Sequence, residues 1–307
     1  MVVKATGSWY TVRDGSGREV ACKVKGNFRL KGIRSTSPVA VGDRVVTSSD
    51  KDGEAFITGI ADRRNYIVRK SPNLSKQSQV LAANVDLAVL VATVARPETS
   101  TTFIDRFIAS AEAYRIPVAL IFNKADSLSA EEGGTAAALA ALYGGMGYEC
   151  LHVSALTGLG MDAVGELLRG KVSLLSGHSG VGKSTLVNRL LPGASRRTAD
   201  ISEAHGTGVH TTTYSEMLPL PQGGYVIDSP GIKGFGTFDI GPGELCGYFR
   251  DIFAVSKGCR FSNCTHTHEP GCAVREALEK GGLAPSRYVS YLSMMEDRDG
   301  DRYRPAY

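Results

Sequence analysis

Residues 177–184 read GHSGVGKS, and this segment restricts the fold of the chain more than any other feature. It follows the apolar run 171–175 and opens the segment 183–191, which has helical spacing. A strand, a glycine-rich loop and a helix in this order form a phosphate-binding loop, whose backbone N–H groups surround phosphate oxygens at a helix N-terminus. In such a loop Lys183 reaches the β- and γ-phosphates and Ser184 binds Mg²⁺. The predicted nucleotide-binding residues here are Gly177, His178, Ser179, Gly180, Val181, Gly182, Lys183, Ser184 and Thr185.

Strand-like and helical patterns alternate through the middle of the chain. The strands are predicted at 85–94, 117–122, 150–153, 171–175 and 225–227, and the helices at 102–114, 130–143, 161–168 and 183–191. This alternation predicts an α/β domain with a mainly parallel sheet over residues 71–240. A polar stretch with a proline, residues 69–80, is interpreted as the linker that precedes it.

Residues 1–70 show about five short strands, separated by turn signals and without a helical pattern, which predicts a small β-barrel. An OB-type barrel is favoured, and an SH3-like barrel would give the same pattern. This segment has 14 Lys and Arg against 7 Asp and Glu, although the whole chain carries only +4. The local excess suggests contact with a polyanion, most plausibly nucleic acid, and a solvated basic surface would explain the charge equally well. Either Trp9 or Tyr10 is expected in the barrel core, and the other is free to stack on bases.

Residues 241–307 are predicted to form a mostly α-helical domain around a cysteine and histidine cluster. Helical segments are expected at 243–255, 273–280 and 286–297. Cys259, Cys264, His266 and Cys272 have the spacing and donor types of a closed tetrahedral zinc site, one per chain and structural in role. His268 is the rival imidazole. The isolated thiols Cys22, Cys150 and Cys246 are expected to be small buried side chains.

The composition excludes several classes of protein. A 42% hydrophobic and 21% charged content excludes a wholly disordered chain. No apolar run reaches the roughly 18 residues of a membrane helix, and the first ten residues lack the apolar core of a signal peptide. We therefore expect a cytoplasmic protein without a membrane partner, and a monomer is the default.

Polar residues at two other strand ends point to guanine. Asn123, Lys124 and Asp126, in the sequence NKAD, follow the apolar strand 117–122. A carboxylate at this loop accepts both the N1–H and the 2-amino proton of guanine, which adenine does not offer, so adenine is rejected. Ser154 and Ala155 follow the next strand, where a backbone N–H would meet guanine O6. Ser154 taken alone is equally typical of a helix N-cap region.

The segment between the phosphate-binding loop and residue 240 contains the remaining candidate residues for binding Mg²⁺ and the γ-phosphate and for orienting water. Asp228 and Gly231 in DSPG end the strand 225–227, where an acid can hold Mg²⁺ through water and a glycine N–H can sense a γ-phosphate. Thr212, with Thr211 close behind, is the candidate to close over Mg²⁺ and the γ-phosphate. Ile232 stands where many GTPases have a water-orienting glutamine, so His205, His210 or a partner protein would have to supply that function.

The order of these motifs is itself informative. NKAD and Ser154–Ala155 precede the phosphate-binding loop, whereas in the common GTPase arrangement that loop comes first. A basic barrel, this circularly permuted GTPase pattern and the Cys/His cluster together resemble the RsgA (YjeQ/YloQ) family of ribosome-associated GTPases over nearly the whole chain. Asn123, Asp126, Lys183, Ser184 and Asp228 match the nucleotide residues of that family, and Cys259, Cys264, His266 and Cys272 match its metal ligands.

The resemblance implies a GTP hydrolase in late maturation of the small ribosomal subunit, which binds rRNA and hydrolyses GTP slowly alone and faster on the subunit. Because DSPG lies just before the C-terminal domain in the sequence, we further expect its movement with the γ-phosphate to pass to residues 241–307. Two alternatives stay open on the residues alone. One is an RNA-binding module with negligible turnover, which Ile232 favours. The other is an ATP-using P-loop enzyme, which NKAD opposes.

Overall fold

The computed structural model describes residues 1–24, 39–70, 78–192, 215–228 and 243–296. Its strands are β1 (Val2–Thr6), β2 (Trp9–Arg13), β3 (Glu19–Val24), β4 (Val45–Ser49), β5 (Ala55–Ile60), β6 (Tyr66–Lys70), β7 (Ser78–Ala83), β8 (Leu87–Ala92), β9 (Val118–Phe122), β10 (Glu149–His152), β11 (Val172–Ser176), β12 (Ser215–Pro219) and β13 (Tyr225–Asp228). Its α-helices are α1 (Thr101–Ala113), α2 (Ala130–Gly145), α3 (Met161–Leu168), α4 (Lys183–Leu190), α5 (Arg250–Ser256), α6 (Ala273–Glu279) and α7 (Pro285–Glu296). Among these residues, no helix combines the length and apolar character needed to cross a membrane.

The predicted α/β domain is confirmed, with a mainly parallel sheet. Its strands lie in the order β10-β9-β8-β11-β13-β12, and every pair is parallel except β12 with β13. The interior strand β8 is buried along its whole length, as expected for a strand covered on both faces. One face packs under α1, and the opposite face packs against α3 and α4. The carboxyl ends of the parallel strands therefore share one edge of the sheet.

The N-terminal strands form the OB-type barrel that was favoured over the SH3-like alternative. They lie in the order β1-β2-β3-β5-β4, with β3 and β5 parallel. The chain just ahead of β4 returns to β1, where Val2 N–H donates to Asp43 O (2.8 Å) and Gly42 N–H donates to Val2 O (2.9 Å). Tyr10 lies in the barrel core, whereas Trp9 is 46% exposed and carries the Lys23 ammonium 4.6 Å above its ring.

The barrel and the α/β domain share one continuous sheet, which the sequence did not indicate. Strand β1 pairs antiparallel with β12, with Lys4 opposite Glu216 and Ala5 opposite Ser215. The eleven-stranded sheet runs from β10 through β12 and β1 to β4. Strand β12 was missed because SEMLP has no clear alternation, and it is stabilised by its two neighbours rather than by its own pattern.

Two predicted elements differ in the structure. The stretch 69–80 is not only a linker, because β6 and β7 pair as an antiparallel hairpin that buries Ile67 and Val80. Residues 71–77 lie outside the described part of the chain. The predicted helix 243–255 is divided into a 3₁₀ turn, Leu245–Tyr248, and α5. Phe249 separates them because its backbone is extended, which lets its fully buried ring enter the C-terminal core.

The C-terminal helices are attached to α1 through charged and polar contacts. The Arg287 guanidinium donates to Asp105 of α1 at 2.5 Å, and both residues are fully buried. Asp251 of α5 accepts from the same guanidinium at 2.9 and 3.0 Å. Near the end of α1, Glu112 pairs with Arg250 at 2.7 Å. Helix α1 therefore carries the buried ion pair that attaches the C-terminal domain, and Arg250 adds contacts with the Met146 carbonyl and the Tyr148 ring.

Candidate functional site

The predicted nucleotide residues lie at one edge of the parallel sheet. The loops that carry them follow β9, β10 and β11, whose carboxyl ends meet there. Strand β13 brings Asp228 opposite Leu175, next to the start of the phosphate-binding loop. Ligands of open α/β sheets bind outside the carboxyl ends of the strands. The fold therefore brings together motifs that are far apart in the sequence.

The phosphate-binding loop depends on its glycines for both conformation and space. Gly180 and Gly182 have φ of +86° and +87°, which L side chains rarely adopt. A Cβ on Gly182 would lie 2.4 Å from Asn123 Nδ2, and one on Gly177 would lie 2.6 Å from Val91 O. Helix α4 begins directly at Lys183, so Ser184 and Thr185 occupy its first turn. The N–H groups at this helix end suit an anion.

Asn123 joins three loops from a buried position. Its Nδ2 donates to Val181 O in the phosphate-binding loop at 2.8 Å, and its Oδ1 accepts from Ala155 N–H at 2.9 Å. Only 3% of Asn123 is exposed, so both hydrogen bonds are shielded from water. The loops after β9, β10 and β11 are thereby fixed relative to one another.

A cavity of about 390 Å³ opens between these loops. Asn123, Lys124, Asp126, Ser127, Ala155, Leu156, Gly182, Thr185 and Arg96 line it. Lys124 spans it, since its Nζ donates to Arg96 O at 2.6 Å. The Arg96 guanidinium is held by both carboxylate oxygens of Glu132, at 2.6 and 2.8 Å. A carboxylate, an amide and the flat aliphatic part of a lysine are the groups that a planar purine with polar edges requires.

The Ser154–Ala155 loop is held by its own hydrogen bonds. Ser154 is fully buried and its Oγ accepts from Thr157 N–H at 3.0 Å, a capping role. The backbone N–H groups of Ser154 and Ala155 donate to Leu159 O and Asn123 Oδ1 in this structure. Arg189 of α4 donates to the Leu156 and Thr157 carbonyls at 3.1 and 3.0 Å. Contact of this loop with guanine O6 stays a prediction.

Several predicted residues lie outside the described part of the chain. They are His205, His210, Thr211, Thr212, Gly231 and Ile232. Asp228 is the last residue of β13, and only its backbone is described. The expected coupling through DSPG to the C-terminal domain crosses residues 229–242, which are also outside that part.

The four predicted metal ligands converge. The ligand atoms of Cys259, Cys264, His266 and Cys272 all lie within 4.8 Å of one another. His266 Nδ1 lies 3.5 Å from both Cys259 Sγ and Cys272 Sγ. A sulfur and a nitrogen bound to one tetrahedral zinc ion, with bonds of about 2.3 and about 2.0 Å, are about 3.5 Å apart. The donor set and its spacing therefore fit a closed, four-coordinate metal site.

The surroundings of this cluster act in opposite directions on its imidazole and on its thiols as metal ligands. Burial lowers the pKa of His266, which keeps the imidazole neutral and able to ligate. Burial and the neighbouring thiols raise the pKa of Cys264 to about 12 in the metal-free protein. A bound metal ion reverses that shift by stabilising thiolates. Although burial acts to raise it, hydrogen bonds from Thr265 and the following backbone hold the pKa of Glu269 well below its usual range, so this carboxylate fixes the loop.

Two other side chains near the cluster were expected to behave differently. Cys246 does not stand alone, because its Sγ lies 3.3 Å from His266 Nε2. That contact suits the tautomer with its proton on Nε2, which leaves Nδ1 free for a metal. His268, the rival imidazole, is exposed and contacts Thr267 Oγ1 at 2.8 Å. It is not part of the described cluster.

The fold and the order of its loops define a P-loop GTPase with circularly permuted elements, since the NKAD loop precedes the phosphate-binding loop on one parallel sheet. The sequence model of the RsgA GTPase family matches residues 60–238, and that of the RsgA N-terminal domain matches residues 1–57. The chain therefore belongs to the RsgA GTPase family, whose members hydrolyse GTP.

Relatives match along the full length. A Bacteroides fragilis protein named small ribosomal subunit biogenesis GTPase RsgA is 59% identical, covering 100% of this chain and 99% of the relative. A protein of the same name from Porphyromonas gingivalis is 57% identical, with the same coverage. Among solved structures, YjeQ from Thermotoga maritima has a TM-score of 0.79 at 35% identity, covering 98% of each chain. The circularly permuted GTPase YloQ has a TM-score of 0.74 at 30% identity, covering 98% of this chain and 96% of the other.

The sequence analysis missed residues that support the site from outside its motifs. Arg96 lines the cavity, Arg189 braces the loop after β10, and Glu269 orders the metal loop. Each is an ordinary charged residue in the sequence, and only its position in the fold reveals its partner. Arg96 had one available signal, because it lies in the loop that follows β8, a strand that is a neighbour of the P-loop strand.

Proposed function

We propose that this chain binds GTP in the cavity at the sheet edge and hydrolyses it while bound to the small ribosomal subunit, in late maturation of that subunit. The observation that supports this most strongly is the joining of the phosphate-binding loop and the NKAD loop by Asn123. Because Asn123 fixes the base pocket relative to the phosphate-binding loop, the two can bind the base and the phosphates of one guanine nucleotide. The proposed partner, the small ribosomal subunit, is taken from the names of the relatives.

The residues divide by the part of GTP that they contact. Asp126 accepts from the N1–H and 2-amino groups of guanine, Lys124 covers the base, and the loop of Ser154 and Ala155 approaches O6. The N–H groups of residues 177–185 hold the phosphates, and Lys183 neutralises the β- and γ-phosphates. Ser184 and Thr212 are the proposed Mg²⁺ ligands, Asp228 acts on Mg²⁺ through water, and Gly231 senses the γ-phosphate. Mg²⁺ supplies neutralisation of the phosphate charge when bound.

Hydrolysis by the isolated chain is expected to be slow. An isoleucine side chain at position 232 has no donor or acceptor with which to orient the attacking water. We therefore propose that the ribosomal subunit completes the site, either directly or by ordering His205 or His210. The protein acts in the cytoplasm, and a monomer is the proposed state.

Contact with ribosomal RNA is assigned to the barrel. Its residues 1–70 have twice as many basic as acidic side chains. Trp9 is 46% exposed with Lys23 over its ring, so an aromatic face and a cation are presented together on one surface. Bases stack on such rings, and cations nearby bind the phosphates.

Zinc is the proposed occupant of the Cys/His cluster, because three thiolates and one imidazole favour zinc over the oxygen-preferring Mg²⁺. We expect purified protein to hold one zinc ion per chain. Cys272→Ser is expected to lose that ion and to expose the C-terminal domain to protease, since the site ties the 259–272 loop to α6. Cys150→Ser, which changes a thiol outside the cluster, is the matched control. Zinc content by mass spectrometry and limited proteolysis give the readout, and equal zinc content in both variants would contradict the assignment.

The proposed activity is tested by measuring GTP turnover with and without small ribosomal subunits. We expect stimulation of roughly a hundredfold or more, which is what one completed catalytic contact supplies. Large subunits and ATP are the controls, and both are expected to give the unstimulated rate. Lys183→Ala should abolish the stimulated rate, whereas Lys171→Ala, on the far end of β11, should not.

Two outcomes would change the proposal. Tight GTP binding without stimulation by small subunits would favour an RNA-binding module whose nucleotide serves regulation. Hydrolysis of ATP at a rate comparable to that of GTP would contradict the assignment of the base pocket to guanine.

A further inference from the structure

The outer side of the phosphate-binding loop contacts a second loop, residues 93–99, that belongs to none of the nucleotide motifs. This loop follows β8 and leads into α1. Pro97 packs against Gly180, where an added Cβ would lie 3.2 Å from the proline ring. The His178 imidazole lies between Thr99 and the Phe103 ring, which meets it edge-on at 5.7 Å between centroids.

Thr99 is placed to orient the His178 ring. Its Oγ1 lies 2.7 Å from His178 Nε2, and His178 Nδ1 lies 3.1 Å from Ser179 O. A neutral imidazole with its proton on Nδ1 satisfies both contacts, because Nε2 then accepts from the threonine hydroxyl and Nδ1–H donates to the carbonyl. The opposite tautomer would direct a lone pair at the Ser179 carbonyl oxygen. The Ser179 carbonyl therefore selects this tautomer, and the Thr99 hydroxyl holds the ring in place as the donor to Nε2.

The Thr99 side chain is itself fixed. It is 4% exposed, and its Oγ1 accepts from Thr93 N–H at 3.0 Å. Its own N–H donates to Thr93 O at 2.8 Å, which closes the 93–99 loop. With Thr93 N–H as donor to the hydroxyl oxygen, the hydroxyl proton is available for His178. The chain of hydrogen bonds thus runs from the end of β8 to the phosphate-binding loop.

From these contacts we infer that Thr99 is a positioning residue for phosphate binding, acting through His178. A loop with several glycines at positive φ has few side chains with which to hold its own shape. Asn123 fixes it at Val181, and Thr99 fixes it at His178. The N–H groups between these two points then face the phosphates without a reorganisation cost. The inference rests on the proposed guanine nucleotide site.

The test compares GDP affinity and GTP kinetics of three variants with the wild type. Thr99→Val keeps the shape but loses the hydroxyl, and we expect GDP to bind about five- to tenfold more weakly, as for loss of one hydrogen bond. The KM for GTP should rise by the same factor with kcat on small subunits within twofold, because the lost contact serves ground state and transition state alike. Thr99→Ser keeps a hydroxyl, so its GDP affinity and its KM for GTP should equal those of the wild type. Thr135→Val, which removes an exposed hydroxyl on α2, should change neither.

A double-mutant cycle with His178→Leu tests whether Thr99 affects GDP binding through His178. If Thr99 acts through His178, Thr99→Val adds little to the loss in GDP affinity caused by His178→Leu. Additive losses would overturn the inference, and so would unchanged GDP affinity in Thr99→Val. A reduced number of active sites with normal affinity would show a merely structural role, which also overturns it. Failure of the wild type to bind GDP would instead refute the proposed function.

Discussion

Asp126→Asn is expected to weaken GDP and GTP binding by roughly a hundredfold or more, since two charge-assisted hydrogen bonds to guanine are lost. The asparagine amide offers one acceptor and one donor, so its NH₂ group opposes a donor on the guanine edge. Xanthine has a carbonyl in place of the guanine 2-amino group, and this carbonyl accepts from the amide. The variant should therefore bind xanthosine diphosphate better than the wild type does. Competition against a fluorescent guanine nucleotide measures all three affinities.

The matched control for this variant is Asp162→Asn, on the first turn of α3 and outside the residues that line the cavity. It should leave GDP affinity unchanged. Undiminished GDP affinity in Asp126→Asn would contradict the assignment of the base pocket, and tight ADP binding by the wild type would revive an ATP-using enzyme.

Arg287→Leu is expected to lower the free energy of unfolding by about 3–5 kcal/mol, which is the usual consequence of removing one partner from a buried ion pair. Asp105 is fully buried, and without the guanidinium its partners would be neutral hydroxyls, those of Tyr143, at 2.8 Å, and Ser290. Arg169→Leu, which breaks the exposed pair with Glu166, should change the free energy of unfolding by about 1 kcal/mol at most. Urea unfolding followed by far-ultraviolet circular dichroism gives both values.

The deficit of Arg287→Leu should also depend on pH. Burial raises the pKa of Asp105 even though Arg287 opposes that shift, so loss of the guanidinium raises it further. An acid with a raised pKa in the folded state binds protons more readily there than in the unfolded chain. Lowering the pH from 8 to 5 should therefore reduce the deficit relative to the wild type. A deficit that is constant or grows over this range would show that Asp105 is not the destabilising group.

The sequence predicted the residues of the nucleotide and metal sites better than the residues that hold them in place. The phosphate-binding loop, the NKAD loop and the metal cluster consist of residue types that have few other reasons to occur at that spacing, and each follows a strand or precedes a helix as expected. Thr99 and Arg96 have no such signature. Their partners, His178 and Glu132, lie 79 and 36 positions away in sequence, and only the fold brings them together.

The same contrast holds for the fold. The β8 and β9 strands are continuous apolar runs, and buried parallel strands require such runs, so the sequence located them. Strands β7 and β12 begin with polar residues and lack a continuous apolar run, and pairing with neighbours decides their structure. The role of α1 in holding the C-terminal domain depends on Asp105 meeting Arg287, 182 residues later in the chain. Periodicity alone carries no information on such a contact.

The pairing of β1 with β12 has a consequence for the order in which the protein is built. Lys4 of β1 leaves the translating ribosome more than two hundred residues before Glu216, its partner in β12. The barrel strands and the strands β8 to β11 pair with nearer neighbours, so each group can form a sheet before β12 exists. Joining those two sheets is then a late step with a high cost in loop-closure entropy. The eleven-stranded sheet is therefore complete only after β12 and β13 have been synthesised.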